Sequence, residues 1–112
     1  MKTFTQKKDG LEIDLLPVER GDHSGDCIAL RYGNLVDGCQ NQTVFVIDGG
    51  YSDNKDSLKQ HLMDYYNCFY DGHYHIDVLF LSHPDQDHVQ GMVKILEDTE
   101  IVVGVIVAMI PW

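Results

Sequence analysis

Apolar and acidic residues alternate near the start of the chain, with Leu11, Ile13 and Leu15 set against Glu12 and Asp14. That period of two predicts a half-buried strand over residues 11–16. Residues 27–32 (Cys-Ile-Ala-Leu-Arg-Tyr) predict a second strand. Residues 43–47 (Thr-Val-Phe-Val-Ile) predict a third, nearly all apolar and β-prone, the composition of a central strand. Ser52, Asp53 or Asn54 is placed to cap a helix whose inner face carries Leu58, Leu62 and Tyr65. Residues 66–75 are aromatic and polar and predict a loop, as do the Gly/Asp/Ser/His stretch 19–26 and the turn region 33–41. A strand follows over 76–81. Val89, Met92, Val93 and Leu96, at i, i+3, i+4 and i+7, predict a helix over 89–97, and 101–109 a last strand. The order β-β-β-α-β-loop-α-β predicts an α/β (α+β) fold, one mixed sheet with helices on one face.

At 112 residues there is room for one domain with a modest core. Residues 1–10 read as a polar lead-in and 11–112 as that domain. The apolar run 101–110 is too short to cross a bilayer, so no membrane partner is expected. The amino-terminal residues are basic without an apolar stretch behind them, which predicts no signal peptide and a cytoplasmic location. Cys27, Cys39 and Cys68 are widely spaced and match no zinc or redox pattern, so free thiols in a reducing compartment are expected. The net charge of −10 opposes nucleic acid in general. It does not remove nucleic acid as a substrate, because divalent ions at a site would offset local carboxylate charge.

The densest chemistry lies between the apolar run 76–81 and the last helix. His83, Asp85, Asp87 and His88 form the pattern His-x-Asp-x-Asp-His, four potential metal ligands within six residues. From an extended loop, 83 and 85 can point the same way, while 87 and 88, at the turn into a helix, can face a second ion. Two ions close together suit a bridging hydroxide that attacks phosphorus or a carbonyl carbon. The competing reading is Asp87 as a helix cap and Asp85 as a turn former after Pro84; Asp87 can cap and ligate at once, and the density of the cluster after an apolar strand favours metal. Asp48-Gly49-Gly50 places a carboxylate at the end of the third strand, beside glycines that permit close approach or positive φ, and is also an ordinary turn. Gly25-Asp26-Cys27-Ile28 reads as a tight turn feeding the second strand. His23, His73 and His75 read as loop or surface histidines. The aromatic group Tyr65, Tyr66, Phe69, Tyr70 and Tyr74 could form a base-stacking platform, though such a group is more often core edge or partner interface.

Taken together, Gly25-Asp26-Cys27-Ile28, Asp48-Gly49-Gly50 and the stretch 82–91 (Ser-His-Pro-Asp-Gln-Asp-His-Val-Gln-Gly) resemble the N-terminal half of a metallo-β-lactamase-fold hydrolase. The usual ligand motif of that family is His-x-His-x-Asp-His. Asp85 stands here at the second histidine, as in the branch that includes the nuclease-like domain of competence DNA-uptake proteins. The resemblance covers about residues 11–112. It implies one half of an αββα sandwich, with His83 and Asp85 on a first metal and Asp87 and His88 on a second. Asp87 would also orient the attacking water, and Asp48 would support the site from beneath. The family's remaining ligands come from a C-terminal half that this sequence does not contain.

A carboxylate in place of an imidazole hardens the first site, so Mn²⁺ or Mg²⁺ stands beside Zn²⁺ as the expected ion. Two functional readings follow. The first is the N-terminal segment of a di-metal hydrolase, a phosphodiesterase or nuclease, completed by its own C-terminal half or a second polypeptide and inactive as 112 residues alone. The second is a non-catalytic interaction or regulatory module that retains the motif. A hydrophobic strand just before Pro111-Trp112 predicts a fragment, a split protein or one piece of a larger assembly.

Overall fold

The computed structural model describes residues 9–16, 19–20, 23–24, 27–36, 38–48, 55–82 and 86–108, without the side chains of 19, 20, 23, 24 and 86–90. Its strands are β1 (Asp9–Leu15), β2 (Glu19–Arg20), β3 (His23–Ser24), β4 (Ile28–Asn34), β5 (Gln42–Ile47), β6 (Phe69–Tyr70), β7 (His73–Leu81) and β8 (Ile101–Ala108). Its helices are α1 (Lys55–Asp64) and α2 (Gln86–Glu97). One mixed sheet runs β1-β4-β5-β7 with β8 beyond β7, and β6 pairs with the start of β7. The β1–β4 and β4–β5 pairs are antiparallel, while β5, β7 and β8 run parallel. β5 is therefore central, as its composition requires.

One buried cluster holds the layers together. Val44 and Val46 of β5, Leu58 and Leu62 of α1, Ile76 and Leu79 of β7, and Met92 and Ile95 of α2 all belong to it. Ile76 and Leu79 both face this core although three residues apart, so β7 changes face between them. At that point an Asp77 carboxylate oxygen accepts the Val44 N–H at 2.7 Å, completing the ladder where β5 begins to pair. Gly104 of β8 packs against the same place, and a Cβ there would lie 2.8 Å from the Asp77 carbonyl oxygen. Any side chain would push β8 off β7.

Several expectations change. The stretch 66–75 is not a loop: Phe69 pairs with Tyr74 and Tyr70 with His73 around Asp71-Gly72. Both turn residues have positive φ, 55° and 75°, the two-residue hairpin turn whose twist matches the strands. The inner face of α1 carries Leu58 and Leu62 as expected, but Tyr65 is exposed and Tyr66 is buried in its place. Helix α2 begins at Gln86 rather than 89, and β1 begins at Asp9, inside the expected lead-in. Short strands β2 and β3 stand within the expected loop 19–26. Met109, expected in the last strand, lies outside the described residues. Cys39 and Cys68 are joined in a disulfide and only Cys27 is free, so the thiol argument for a reducing compartment does not stand.

The largest difference is the orientation of β1. Its alternation is real, but Leu11, Ile13 and Leu15 are 64%, 59% and 77% exposed, while Glu12 and Asp14 turn to the helix side. Register places Leu11, Ile13 and Leu15 beside Tyr32, Leu30 and Ile28, and these beside Thr43, Phe45 and Ile47. The sheet thus presents an apolar outer face that no described element covers. Fully burying such side chains is worth about 1.5–3 kcal/mol each.

An ion-pair group fastens α1 to the turn between α2 and β8. Asp98, its side chain 7% exposed, takes Lys59 Nζ at 2.6 Å and Lys55 Nζ at 3.2 Å, and accepts the Glu100 N–H at 2.9 Å. Burial pushes the Asp98 carboxyl up, but these partners outweigh it and hold it at about 2, against an ordinary 3.8. The folded value lies below the unfolded one. The stabilisation is therefore complete above about pH 4 and is lost as pH falls through about 2. Asp98→Asn should cost about 1–2 kcal/mol at neutral pH and flatten the acid limb of the stability profile. Urea midpoints measured across that window check this, and parallel profiles for the two proteins would contradict it.

Candidate metal centre

The sheet register brings Cys27, Asp48 and Ser82, one described residue from each of the three sequence motifs, to one rim. Leu15, Ile28, Ile47, Phe80 and Val107 form a row across β1, β4, β5, β7 and β8. One step further lie Leu16, Cys27, Asp48 and Leu81. Leu16 N–H donates to the Cys27 carbonyl at 2.9 Å, and Asp48 N–H to the Phe80 carbonyl at 2.8 Å. This rim holds the carboxyl ends of the parallel strands, the side of an open α/β sheet where ligands bind, because the loops there diverge from a common edge.

Asp48 is the best-defined residue of the rim. It is 2% exposed and sits at φ 58°, a left-handed conformation that Asp tolerates better than most residues. One carboxylate oxygen accepts the Ser82 N–H at 2.8 Å and the other the Ser82 O–H at 2.5 Å. The chain leaving β7 is thus clamped to the end of β5 at the residue just before His83. Cys27 is buried on the same rim. Burial, then the Asp48 charge, pushes its thiol up to about 12, which leaves it an unreactive packing residue.

The structure reaches the four expected ligands only in part. His83 and Asp85 lie outside the described residues. Asp87 and His88 are placed by backbone in the first turn of α2, where a carboxylate complements the helix dipole. Three residues, 83–85, separate the clamped Ser82 from the first residue of α2. Two imidazoles and two carboxylates are a donor set suited to Zn²⁺ or Mn²⁺, with Mg²⁺ favoured as carboxylates dominate.

No family model, curated protein or solved structure matches this chain. The rim chemistry rests on its own residues.

A second group of potential ligands lies on the helix side of β1. Glu12, Asp14 and His61 each offer one ligand atom, all within 4.8 Å of one another. Tyr66 O–H donates to Asp14 at 2.6 Å, His61 Nε2 lies 3.3 Å from the same oxygen, and Arg31 pairs with Glu12 at 3.0 Å. Burial pulls Asp14 upward, but hydrogen bonds with Glu12, Tyr66 and His61 hold it below the usual carboxylate range. Burial and Asp14 together push the Tyr66 hydroxyl up. The Arg31 guanidinium, 4.7 Å from the Tyr66 ring centroid, already supplies the positive charge that a cation would bring. An open cavity of about 270 Å³, lined by Leu16, Ser57, Gln60, His61, Asp64 and Tyr65, adjoins the group.

Sequence reasoning missed this network. Its members lie 47 and 52 residues apart, and nothing local marks His61 or Tyr66 as partners of Asp14. Of the aromatic group, Tyr66 is core, and Tyr70 stacks on His75 with ring centroids 3.7 Å apart. His75 also contacts the Tyr70 carbonyl at 3.0 Å, so it is a hairpin residue rather than a free surface histidine. No described helix is long and apolar enough to cross a membrane.

Proposed function

We propose that this chain supplies one layer and half the ligand set of a di-metal-dependent hydrolase acting on phosphodiesters, a phosphodiesterase or nuclease of the metallo-β-lactamase type. A second β-layer, from a C-terminal half or another polypeptide, packs on the outer sheet face and completes an αββα sandwich. The observation that carries the proposal is the Asp48–Ser82 clamp, which ties the residue preceding His83 in sequence to the carboxyl end of β5. The uncovered apolar face supports the second layer, since a sheet face of this composition stably meets another sheet or a helix layer.

In this reading His83 and Asp85 hold one divalent ion and Asp87 and His88 the other. Bound, the ions supply Lewis-acid polarisation of a phosphoryl oxygen and a water acidic enough to attack at neutral pH. Asp87 accepts a hydrogen bond from the attacking water and fixes its direction. Asp48 acts through Ser82, holding the loop so that the donors need not be ordered when the ions bind.

A non-catalytic interaction module is the second reading, favoured by the same uncovered face. Two measurements separate them. The chain should co-purify with, or be completed by, a polypeptide that brings further histidines and an acidic bridge. The completed protein should hold divalent metal that the His83→Ala/His88→Ala double variant loses. Equal metal in both samples would discard the site, and a stable lone monomer without metal would leave the interaction module.

A further inference from the structure

The Cys39–Cys68 bridge joins the short turn that leads into β5 to the residue just before β6. Its two halves differ in access. Cys68 is wholly buried, whereas Cys39 lines an open cavity of about 210 Å³ with Gly38, Gln40, Asn67 and Tyr70. Thiol–disulfide exchange starts with a thiolate meeting one sulfur of the bridge, so access decides which sulfur is attacked. The surroundings of Cys68 suit the sulfur that leaves. Gln42 Nε2 donates to the Tyr66 carbonyl at 3.0 Å and lies 3.8 Å from Cys68 Sγ, while that carbonyl oxygen lies 3.5 Å from the same sulfur. A disulfide sulfur has no proton to donate and accepts weakly. As a thiolate it accepts from the Gln42 amide, and as a thiol it donates to the carbonyl. Both contacts therefore strengthen when the bridge opens.

We propose that Cys39–Cys68 is a reversible exchange site on the folded chain, opened by a low-molecular-weight thiol that attacks Cys39 and expels Cys68. The incoming thiolate bonds to Cys39 Sγ as the Cys39–Cys68 bond breaks. The electron pair leaves on Cys68, which takes up the proton that the small thiol lost. A second small thiol then attacks the sulfur of the first, departs with it as a small-molecule disulfide, and returns Cys39 as a thiol. Two small thiols are oxidised and one bridge is reduced, and the small-molecule disulfide is the oxidant of the reverse reaction. The backbone around Cys68 does not depend on the bridge: its N–H donates to the Leu62 carbonyl at 2.8 Å, and its carbonyl accepts the His75 N–H at 2.9 Å. The fold therefore outlasts reduction. The bridge stands at the opposite end of β5 from Asp48, so its opening leaves the Asp48–Ser82 clamp in place and is independent of the hydrolase proposal.

The test uses the 112-residue chain with reduced glutathione as the probe, the reaction being followed by alkylation of free thiols and intact mass. Two thiols should become alkylated while circular dichroism stays native. Cys27, buried on the rim, is the internal control and should stay unmodified. The rate should rise in proportion to glutathione and be unchanged by low urea, because the attack is on the folded protein. Gln40 is exposed at the cavity, so a charge placed there acts on the arriving thiolate without touching the core. Gln40→Lys should speed reduction by about two-fold and Gln40→Glu slow it by about as much. With oxidised glutathione, Cys68→Ala should gain one glutathionyl group on Cys39, and Cys39→Ala should gain none on Cys68. Should either alanine variant not fold, the wild-type and Gln40 kinetics decide alone. A bridge that stays closed in glutathione, a rate that saturates with thiol and climbs with urea, equal rates in the two Gln40 variants, or glutathione carried by Cys68 would each overturn the proposal and leave a structural cross-link opened only by unfolding. None of these readouts involves metal, so failure here and failure of the hydrolase proposal are separately visible.

Discussion

Asp87→Ala is expected to remove phosphodiester turnover by the completed domain, by on the order of 10³-fold or more, while leaving its fold largely intact. The residue stands in the first turn of α2, directly beyond the clamped strand end. In the proposed site it would be both a ligand and the group that directs the water, two functions that a methyl group cannot serve. The structural cost is small, because losing one carboxylate at a helix amino terminus is worth about 0.3–1 kcal/mol. Asp87→Asn is the sharper variant: it keeps the shape and removes the charge, so loss of turnover there is chemical. The assay compares single- and double-stranded DNA and a generic phosphodiester with Zn²⁺, Mn²⁺ or Mg²⁺, alongside a chelator control. Residues 1–112 alone should be inactive. Hydrolysis that persists in Asp87→Ala, or in excess chelator, would rule the mechanism out. Hydrolysis of thioesters or lactams without phosphodiesters would keep the fold proposal and discard the substrate class.

Asp48→Ala should be among the most destabilising single changes on the rim, costing about 2–4 kcal/mol. The carboxylate is buried and accepts both the N–H and the O–H of Ser82, so its removal strips the Ser82 amide of that acceptor and releases the chain at His83. Asp48→Asn should recover part of the loss. Asn adopts the same left-handed backbone readily and keeps one acceptor oxygen, but its amide nitrogen cannot replace the second. Ser82→Ala, which removes the hydroxyl bond to Asp48 and keeps the amide one, should cost about 1 kcal/mol. Urea midpoints should show the largest loss for Asp48→Ala, a smaller one for Asp48→Asn and the smallest for Ser82→Ala. Metal affinity of the completed protein should fall in that same order. If stability followed it and metal affinity did not, Asp48 would be a folding residue only.

Local pattern was informative wherever a signal repeats along the chain. The apolar run of β5, the i, i+3, i+4, i+7 spacing in α2 and the β-branched run of β8 each carry their own periodicity, and all three elements form. The hairpin at Asp71-Gly72 was missed, although that dipeptide is a strong two-residue turn signal. The aromatic composition around it obscured the short strands on either side. The ligand spacing in 83–88 is likewise a property of sequence.

Only tertiary structure decided which side of an alternating strand would be buried. Leu11, Ile13 and Leu15 share a face by local geometry, but whether that face meets a core depends on where α1 and α2 pack. They pack on the other side, where Arg31, His61 and Tyr66 offset the burial of Glu12 and Asp14. The same holds for Cys39 and Cys68, joined across 29 residues, and for Asp48 and Ser82, bonded across 34. The chain determined its elements because backbone periodicity is a nearest-neighbour property. The rim, the disulfide and the inverted first strand arose from contacts between distant elements, which no local pattern encodes.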